Sequence, residues 1–298
     1  GPGDLVLTQA LTFAATVNAI RYTGAIPRYL DIEAGTWAFS PAHLDEWLRH
    51  RSFRDTEGTL REKSSGLRVA ACLPVHTFGL PAQTGQILDC CNAFGIPLVE
   101  DAAEALGTFR EGKHAGTLGV AGVLSFNGNK IITTGGGGMV LTHDEALALR
   151  LRHLSTQSKQ PHRWEYIHDG TGFNYRMPNI NAALGLAQMA GMQARLDSKR
   201  AVGARYRTFF RELGAQALEE PEGCQWNHWL NGVFFRDRSE RDAFLEYATR
   251  AQLGVRPSWQ PMHLQEHAGA PERQYQEPLP VTMDVYERLV NLPSSPIL

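Results

Sequence analysis

Cysteine is scarce in this sequence, with four residues in 298: Cys72, Cys90, Cys91 and Cys224. Their spacing is not that of a zinc site, and a chain of this length does not need a disulfide framework to hold its core. We therefore expect four free thiols, as in the reducing environment of the cytoplasm.

The sequence also lacks any apolar run long enough to span a bilayer, and no signal-peptide pattern opens it. Neither sign of charge dominates, since 29 Lys and Arg residues stand against 31 Asp and Glu residues, for a net charge of −2. This balance provides no positive surface for nucleic acid or anionic lipid, so both are disfavoured as partners. The hydrophobic content of 43% is that of a soluble globular protein, and we expect a cytoplasmic location.

Short apolar runs alternate with helix-length amphipathic stretches, which is typical of an α/β fold with a mixed, mostly parallel sheet. The predicted strands are 5–8, 26–31, 67–75, 97–100, 120–126, 139–141 and 232–235. The predicted helices are 12–22, with Thr12 as its N-cap, 41–47, 84–94, 144–154, a long one from about 179, and 241–250. Residues 49–63 are predicted to form an exposed charged loop, and the end of the chain a Pro-rich tail.

The character of the sequence changes near Gly191, which predicts two domains. Residues 1–190 are expected to form the larger one and residues 191–298 a smaller α+β domain. The turn-forming residues Gly1 to Asp4 lead directly into a strand, so we expect a segment preceding this chain to be absent from it.

Three features between Val99 and Val140 point to chemistry. The acids of Val99-Glu100-Asp101-Ala102-Ala103-Glu104 stand at the carboxyl end of a predicted strand, where open α/β sheets bind ligands. The other two features are Ser125-Phe126-Asn127-Gly128-Asn129-Lys130 and the run Gly135-Gly136-Gly137-Gly138. Each also has an ordinary structural interpretation: a helix-capping aspartate, a solvated surface lysine and a flexible turn.

Taken together, these residue types are the ones that pyridoxal phosphate requires. A lysine must form a Schiff base with the cofactor and then move a proton, which is the role expected of Lys130. A carboxylate must face the pyridine nitrogen and keep it protonated, for which Asp101 is the candidate. Ser125 can donate a hydroxyl to the phosphate, and Phe13, just after the first strand, can cover the ring.

Four ordered blocks closely resemble the DegT/DnrJ/StrS family of sugar aminotransferases, and the likeness covers nearly the whole chain. The blocks are Thr12-Phe13-Ala14-Ala15-Thr16-Val17-Asn18-Ala19-Ile20, the acidic segment from Val99, the segment from Ser125 to Lys130, and Gly172-Phe173-Asn174-Tyr175-Arg176-Met177-Pro178-Asn179. The resemblance implies the fold-type I architecture of aspartate aminotransferase, with pyridoxal phosphate as the cofactor.

The resemblance also implies individual roles. Lys130 would be the Schiff-base lysine, Asp101 the pyridinium partner and Phe13 the stacking residue. Glu104 would lie near the ring substituents, and Ser125 would hold the phosphate. Asn174 would reach the cofactor of a neighbouring subunit, which implies a homodimer with a shared site; its alternative is a turn-forming residue.

Within the family, the segments Asn127–Gly138, Trp164–Asp169 and Arg256–His263 are similar to the branch of the legionaminic-acid and bacillosamine pathways. That likeness implies transfer of an amino group from glutamate to a nucleotide-linked keto-deoxy sugar, expected to be a UDP-linked 4-keto-6-deoxy-N-acetylhexosamine. His263 and Tyr175 would bind the substrate. The alternative for His263 is a packed structural histidine.

One part of the family pattern is missing, because the Gly-Thr turn that holds the cofactor phosphate lies upstream of the first block and is not in this chain. Two other functions stay open at this point. A sugar dehydratase of the same fold tends to carry His where this chain has Lys130. A non-catalytic regulatory relative would have no physical need for the pair of Asp101 and Lys130.

Overall fold

A computed structural model of the chain describes residues 1–266 and 268–296. The helices are α1 Ala14–Tyr22, α2 Pro41–Arg51, α3 Thr84–Phe94, α4 Glu145–Ser155, α5 Asn179–Ala190, α6 Met192–Glu212, α7 Arg238–Arg250, α8 Ala270–Arg273 and α9 Pro280–Arg288. The strands are β1 Leu5–Gln9, β2 Ile26–Leu30, β3 Ser52–Arg54, β4 Leu60–Glu62, β5 Val69–Leu73, β6 Val99–Asp101, β7 Phe109–Arg110, β8 Lys113–His114, β9 Ala121–Ser125, β10 Gly138–Leu141, β11 Lys159–Gln160, β12 Ile167–His168, β13 Gln216–Ala217, β14 Cys224–Gln225, β15 Asn231–Phe234, β16 Arg256–Pro257 and β17 Leu289–Leu292. Two short 3₁₀ turns lie at Thr77–Gly79 and Met262–Leu264.

The main sheet has the order β2-β1-β5-β6-β9-β10. Parallel bridges from Cys72 to Leu98 and from Val75 to Asp101 join β5 to the segment around β6. The strands are parallel except β10, which runs antiparallel to β9. This confirms the predicted mixed, mostly parallel sheet, and it brings the carboxyl ends of β1, β5, β6 and β9 to one edge.

A second sheet of order β13-β15-β17-β16 is antiparallel throughout and lies in the C-terminal part. The predicted domain boundary falls at Gly191, where α5 ends and α6 begins. One buried cluster crosses that boundary, because Leu11, Ile32 and Phe78 pack with Trp226 and Phe234. The division into 1–190 and 191–298 stays a prediction.

Most predicted elements lie within two residues of those observed, and three expectations were wrong. Thr12 does not cap the first helix: α1 begins after Phe13, which makes no side-chain cap. Residues 49–63 are not a loop, because α2 runs to Arg51 and β3 pairs with β4 in a hairpin.

The third error concerns the Pro-rich tail. It contains α9, which has Pro280 in its first turn, and the fully buried β17. That strand lies inside the second sheet, between β15 and β16.

The four cysteines are free thiols, as expected. Across residues 1–266 and 268–296, no helix combines the length and the apolarity that crossing a bilayer requires.

Candidate active site

A cavity of about 690 Å³ opens where the carboxyl ends of the parallel strands meet the second sheet. Its floor comes from residues at the ends of β6 and β9, and its far wall comes from β16 and β17. Four charged residues line it: Asp101, Glu104, Lys130 and Arg256. The position agrees with the general rule that open α/β sheets bind ligands at the carboxyl edge.

Asp101 is the last residue of β6, and both of its carboxylate oxygens accept hydrogen bonds. The hydroxyl of Thr16 donates to Oδ2 at 2.6 Å, and the backbone N–H of Ala103 donates to Oδ1 at 3.0 Å. The backbone is fixed as well, since the N–H of His76 donates to the Asp101 carbonyl at 3.0 Å. Residues 102–108 form turns, so Asp101 is not a helix cap.

Lys130 lies in the loop that joins β9 to β10, and its side chain is only 13% exposed. Its ammonium nitrogen is 3.7 Å from Oε1 of Glu104 and 4.0 Å from the centre of the Trp229 ring. The indole N–H of Trp229 donates to the carbonyl of Asn129 at 2.8 Å and so holds the loop against the second sheet. Lys130 is therefore a positioned cavity residue, not a solvated surface lysine.

The four glycines complete the return of this loop to the sheet. Gly135 and Gly137 have φ values of 79° and 102°, which residues with a side chain rarely adopt. The Gly137 carbonyl then accepts a 2.9 Å hydrogen bond from the N–H of Phe126, which closes the loop at its base. The four glycines thus allow the backbone conformation of the loop that positions Lys130.

Glu104 is a buried carboxyl group between Lys130 and the backbone of Phe78. Its Oε2 accepts a 2.8 Å hydrogen bond from the N–H of Phe78, whose φ of 58° aims that N–H at the carboxylate. Burial raises the pKa of Glu104 to about 8; the Lys130 ammonium opposes the rise, and repulsion by the Asp101 carboxylate adds to it. At neutral pH the protonated form is therefore substantially populated.

Phe13 and Ser125 line the same cavity. Phe13 follows β1, is 59% exposed, and meets the ring of Trp259 edge to face at 6.3 Å between centres. Ser125 ends β9, and its hydroxyl oxygen accepts a 3.3 Å hydrogen bond from the N–H of Asn127. Five of the predicted site residues thus converge: Lys130, Asp101, Phe13, Glu104 and Ser125.

The other three predicted site residues lie outside the cavity. Asn174 pairs through its backbone with Thr156, and Tyr175 is 79% exposed and stacks on Phe173. His263 packs near Tyr29, with 6.3 Å between ring centres. Burial lowers the pKa of His263, with Asp31 opposing, and its Nδ1 has no hydrogen-bond partner among the described residues. The geometry matches the packed-histidine interpretation of His263.

Sequence reasoning did not assign Thr16, Trp229, Arg256 and Trp259 as site residues, although they also line the cavity. Thr16 lies on α1 four positions after Thr12, which precedes the helix; this spacing brings the two hydroxyls within 2.7 Å and was an available signal. Trp229 lies almost one hundred residues from Lys130 along the chain, and no local pattern links the two. In the described ranges, no three His, Cys, Asp or Glu side chains gather closely enough to hold a metal ion.

The whole chain, residues 1–298, matches the family model described as the DegT/DnrJ/EryC1/StrS aminotransferase family. EpsN of Bacillus subtilis (strain 168), a pyridoxal phosphate-dependent aminotransferase by name, is 36% identical over 264 residues, which are 88% of this chain and 65% of EpsN. GDP-perosamine synthase of Escherichia coli O157:H7 is 33% identical over 296 residues, which are 99% of this chain and 75% of that protein.

Solved structures agree with the fold. The crystal structure of a DegT DnrJ EryC1 StrS aminotransferase from Brucella abortus has a TM-score of 0.87 and 25% identity, and it covers all of this chain and 76% of the Brucella chain. The chain thus spans about three quarters of the length of the perosamine synthase and of the Brucella protein, and slightly less than two thirds of EpsN. The chain belongs to the DegT/DnrJ/EryC1/StrS aminotransferase family, and pyridoxal phosphate is the cofactor of that family.

Proposed function

We propose that this protein is an aminotransferase that moves an amino group, from glutamate, to a nucleotide-linked keto-deoxy sugar. The sugar that we propose is a UDP-linked 4-keto-6-deoxy-N-acetylhexosamine. The proposed location of the enzyme is the cytoplasm. The observation that carries the proposal is that an amine and a carboxylate, Lys130 and Asp101, line one cavity with an aromatic wall. The name of GDP-perosamine synthase supports a nucleotide-linked substrate, although with a different nucleotide.

The residues present fit pyridoxal phosphate. The cavity offers a partly buried amine at Lys130, a carboxylate held by two hydrogen bonds at Asp101, and an exposed aromatic face at Phe13. Asp101 would pair with the ring nitrogen, Phe13 would cover the ring, and Ser125 would donate to the phosphate. When bound, the cofactor supplies a ring that withdraws electrons from the substrate carbon that loses its proton.

Lys130 would carry that proton. Its amine is held between Glu104 and the face of Trp229, so its position in the cavity is restricted from two sides. Proton transfer by a positioned side chain typically contributes about 10² to 10⁴ in rate. In the first half of the reaction the neutral amine would take the proton from the α-carbon of the donor and pass it to the cofactor. In the second half it would take a proton back from the cofactor and deliver it to the sugar carbon that receives the amino group. Glu104, with a pKa of about 8, can hold a proton beside it.

A homodimer with a shared site is part of the proposal. Helices α4 and α5 bury none of their residues within the chain. Large apolar side chains are exposed on α5 and in the loop between α4 and α5, among them Trp164, Tyr166, Phe173, Tyr175, Ile180, Leu186 and Met189. Contiguous exposed apolar surface marks an interaction site, and we propose a second copy of this chain as its occupant. Asn174 lies within this surface, where it would reach the cofactor of the neighbouring subunit.

Equilibrium sedimentation of wild type and Leu186→Arg tests the dimer. We expect wild type to sediment as a dimer and Leu186→Arg as a monomer, and a monomeric wild type would contradict the proposal.

The central experiment compares wild type with Lys130→Ala and with Lys113→Ala, a control lysine on an exposed strand. Each protein is mixed with pyridoxal phosphate, then with glutamate, and the absorption spectrum is followed. Wild type and Lys113→Ala should show the band of lysine-bound cofactor and lose it on adding glutamate, whereas Lys130→Ala should show neither change.

If Lys130→Ala keeps both the band and turnover, the proposal is wrong. The mass of the product separates the functions: an added amine supports transamination, and loss of a hydroxyl indicates the dehydratase. Cofactor stoichiometry is measured on the full-length protein, which is expected to include the upstream phosphate-binding turn; a full-length wild type that binds no cofactor indicates the regulatory relative.

A further inference from the structure

The far wall of the cavity is built on two strands of the second sheet. Arg256 in β16 and Asn291 in β17 are cross-strand partners in the antiparallel register. Ser258 follows Arg256 by two positions. Side chains two apart in an extended segment share a face, and directly opposed residues share it as well. Arg256, Ser258 and Asn291 all line the cavity.

Arg256 is the charged residue of the cavity that the proposed chemistry does not use. Asp101, Glu104 and Lys130 form a separate group at the ends of the parallel strands, in which the amine of Lys130 is 3.7 Å from the carboxyl group of Glu104. Arg256 donates one hydrogen bond, from Nη1 to the carbonyl of Val255 at 2.7 Å. It forms no ion pair with any carboxylate of residues 1–266 and 268–296.

Beside this cation lie two buried polar atoms that have no hydrogen-bond partner in the described part of the chain. They are Oγ of Ser258 and Oδ1 of Asn291, on residues that are 3% and 6% exposed. Native proteins satisfy almost all buried polar side-chain atoms, so two such atoms on one cavity wall indicate a ligand that completes them. The amide of Asn291 can present either its oxygen or its NH₂ group, since the two orientations have nearly the same shape.

We infer that Arg256, Ser258 and Asn291 form an oxyanion subsite. A guanidinium matches a carboxylate or a phosphate with two parallel hydrogen bonds, and the hydroxyl and the amide add donors beside it. The inference rests on the proposed function, which supplies two such anions: the carboxylate of the amino donor and the diphosphate of the nucleotide sugar. Both share the oxyanion chemistry that this wall recognises.

Trp259 connects the subsite to the rest of the cavity. It directly follows Ser258, packs on Phe78 with 4.9 Å between ring centres, and meets Phe13 at 6.3 Å. The anion would therefore be bound on the wall that faces Lys130, Asp101 and Glu104, and the aromatic rings would lie between the anion and these three residues. This arrangement holds a substrate by its charged end and leaves its reacting carbon free to approach Lys130.

The experiment compares wild type with Arg256→Gln, Arg256→Lys and the control Arg250→Gln, an exposed arginine of α7 paired with Glu246. Glutarate and inorganic pyrophosphate, which carry the two anionic groups and no amine, are titrated calorimetrically into each protein loaded with pyridoxal phosphate. We expect one of the two probes to bind wild type and Arg250→Gln with the same affinity. Its affinity for Arg256→Gln should be at least tenfold lower, and its affinity for Arg256→Lys should lie between the two. Loss of glutarate identifies the donor carboxylate, and loss of pyrophosphate identifies the nucleotide.

Asn291→Asp gives a second variant, because it places a carboxylate directly opposite Arg256 and should weaken the same probe. In steady-state kinetics the KM of the matching substrate should rise tenfold or more in Arg256→Gln, with a smaller change in kcat. The inference is overturned if neither probe binds wild type, or if both bind Arg256→Gln as they bind wild type. That result is distinct from a failure of the proposed function, which is read from the absorption band of Lys130→Ala.

Discussion

The hydroxyl of Thr16 donates a 2.6 Å hydrogen bond to Oδ2 of Asp101 and joins α1 to the end of β6 across 85 positions of sequence. Because a carboxylate only accepts, the Thr16 proton points at Asp101, and the 2.7 Å contact between the hydroxyls of Thr12 and Thr16 must have Thr12 as its donor. A relay of two threonines therefore orients the carboxylate that we propose as the partner of the cofactor ring.

Thr16→Val should weaken cofactor binding without disturbing the helix, since valine keeps the branched shape and removes the hydroxyl. A hydrogen bond to a charged group contributes about 1.5–3 kcal/mol, which corresponds to about 10- to 100-fold in the dissociation constant of pyridoxal phosphate. Fluorescence titration measures it. Thr23→Val is the matched control, because its hydroxyl bonds only the carbonyl of Ile20 at the end of the same helix. Equal affinity of Thr16→Val and wild type would show that the relay has no role.

Glu104 should make the cofactor-free protein less stable as pH rises. Burial raises its folded-state pKa to about 8, above the ordinary value of 4.5. The folded protein thus keeps a proton that the unfolded chain has lost. The free energy of unfolding falls in this window, by at most about 1.4 kcal/mol per pH unit between pH 4.5 and 8.

The measurement is urea unfolding of wild type and Glu104→Gln at pH 5, 6.5 and 8. Glutamine keeps an acceptor for the N–H of Phe78 but does not titrate, so the wild-type curve should fall relative to that of the variant. Other titrating groups are common to both proteins and cancel in the difference. Parallel curves would mean that Glu104 titrates normally.

Much of the site was accessible to sequence reasoning because its residues stand at the ends of recognisable strands. Asp101 ends β6, Ser125 ends β9, and Lys130 follows within one loop, so the parallel order brought them together. The part of the far wall that β17 forms was not accessible, because β17 lies more than 150 residues after Lys130 in the sequence, within a segment that has many prolines. Its neighbours are set by pairing with β15 and β16 and not by any local pattern.

The errors in secondary structure have related causes. Strands β3 and β4 have three residues each and carry charged side chains, so no alternation of apolar residues was visible. Thr12 has the composition of an N-cap, but its hydroxyl is used by Thr16 instead. In both cases a specific contact, a strand pairing or a hydroxyl–hydroxyl hydrogen bond, outweighed the pattern that the composition suggested.

Glu100 has the opposite electrostatic behaviour to Glu104, four residues away. Burial favours its neutral form, but hydrogen bonds from His76 and from the backbone N–H groups of Gly119 and Gly116 outweigh it and lower the pKa of Glu100 to about 2. The carboxylate also accepts from Leu118 at 2.7 Å, and the N–H of His76 holds the Asp101 carbonyl. Glu100 is thus a positioning residue for the strand that carries Asp101.

Glu100→Gln should cost about 3 kcal/mol at pH 7, because the new NH₂ group faces backbone donors and leaves one or two of them without an acceptor, at about 1–3 kcal/mol each. A depressed pKa stabilises the fold above pH 4.5, and this contribution is lost as pH falls from 4.5 toward 2. The stability difference between wild type and variant, measured by urea unfolding, should therefore shrink from pH 7 to pH 3. A difference that is independent of pH would contradict the assigned pKa.

Gly79 should tolerate no side chain, because a Cβ there would clash with its neighbours. Gly58 serves as the control that separates this clash from backbone strain. Gly79 and Gly58 have nearly the same backbone angle, with φ of 83° and 81°. A Cβ on Gly79 would lie 2.2 Å from Oδ1 of Asn227 and 2.8 Å from the carbonyl oxygen of Glu104, whereas a Cβ on Gly58 would meet nothing within 4 Å. Gly58→Ala should cost about 1–2 kcal/mol, the strain of the left-handed conformation alone. Gly79→Ala adds overpacking of about 1–3 kcal/mol, for a total of about 2–5 kcal/mol.

The clash at Gly79 also displaces the turn in which the N–H of Phe78 donates to Glu104. The pH dependence of stability assigned to Glu104 should therefore change in Gly79→Ala and stay as in wild type in Gly58→Ala. Urea midpoints at pH 5 and pH 8 for both variants measure the two effects together, and equal losses at the two glycines would refute the packing of Asn227 against Gly79.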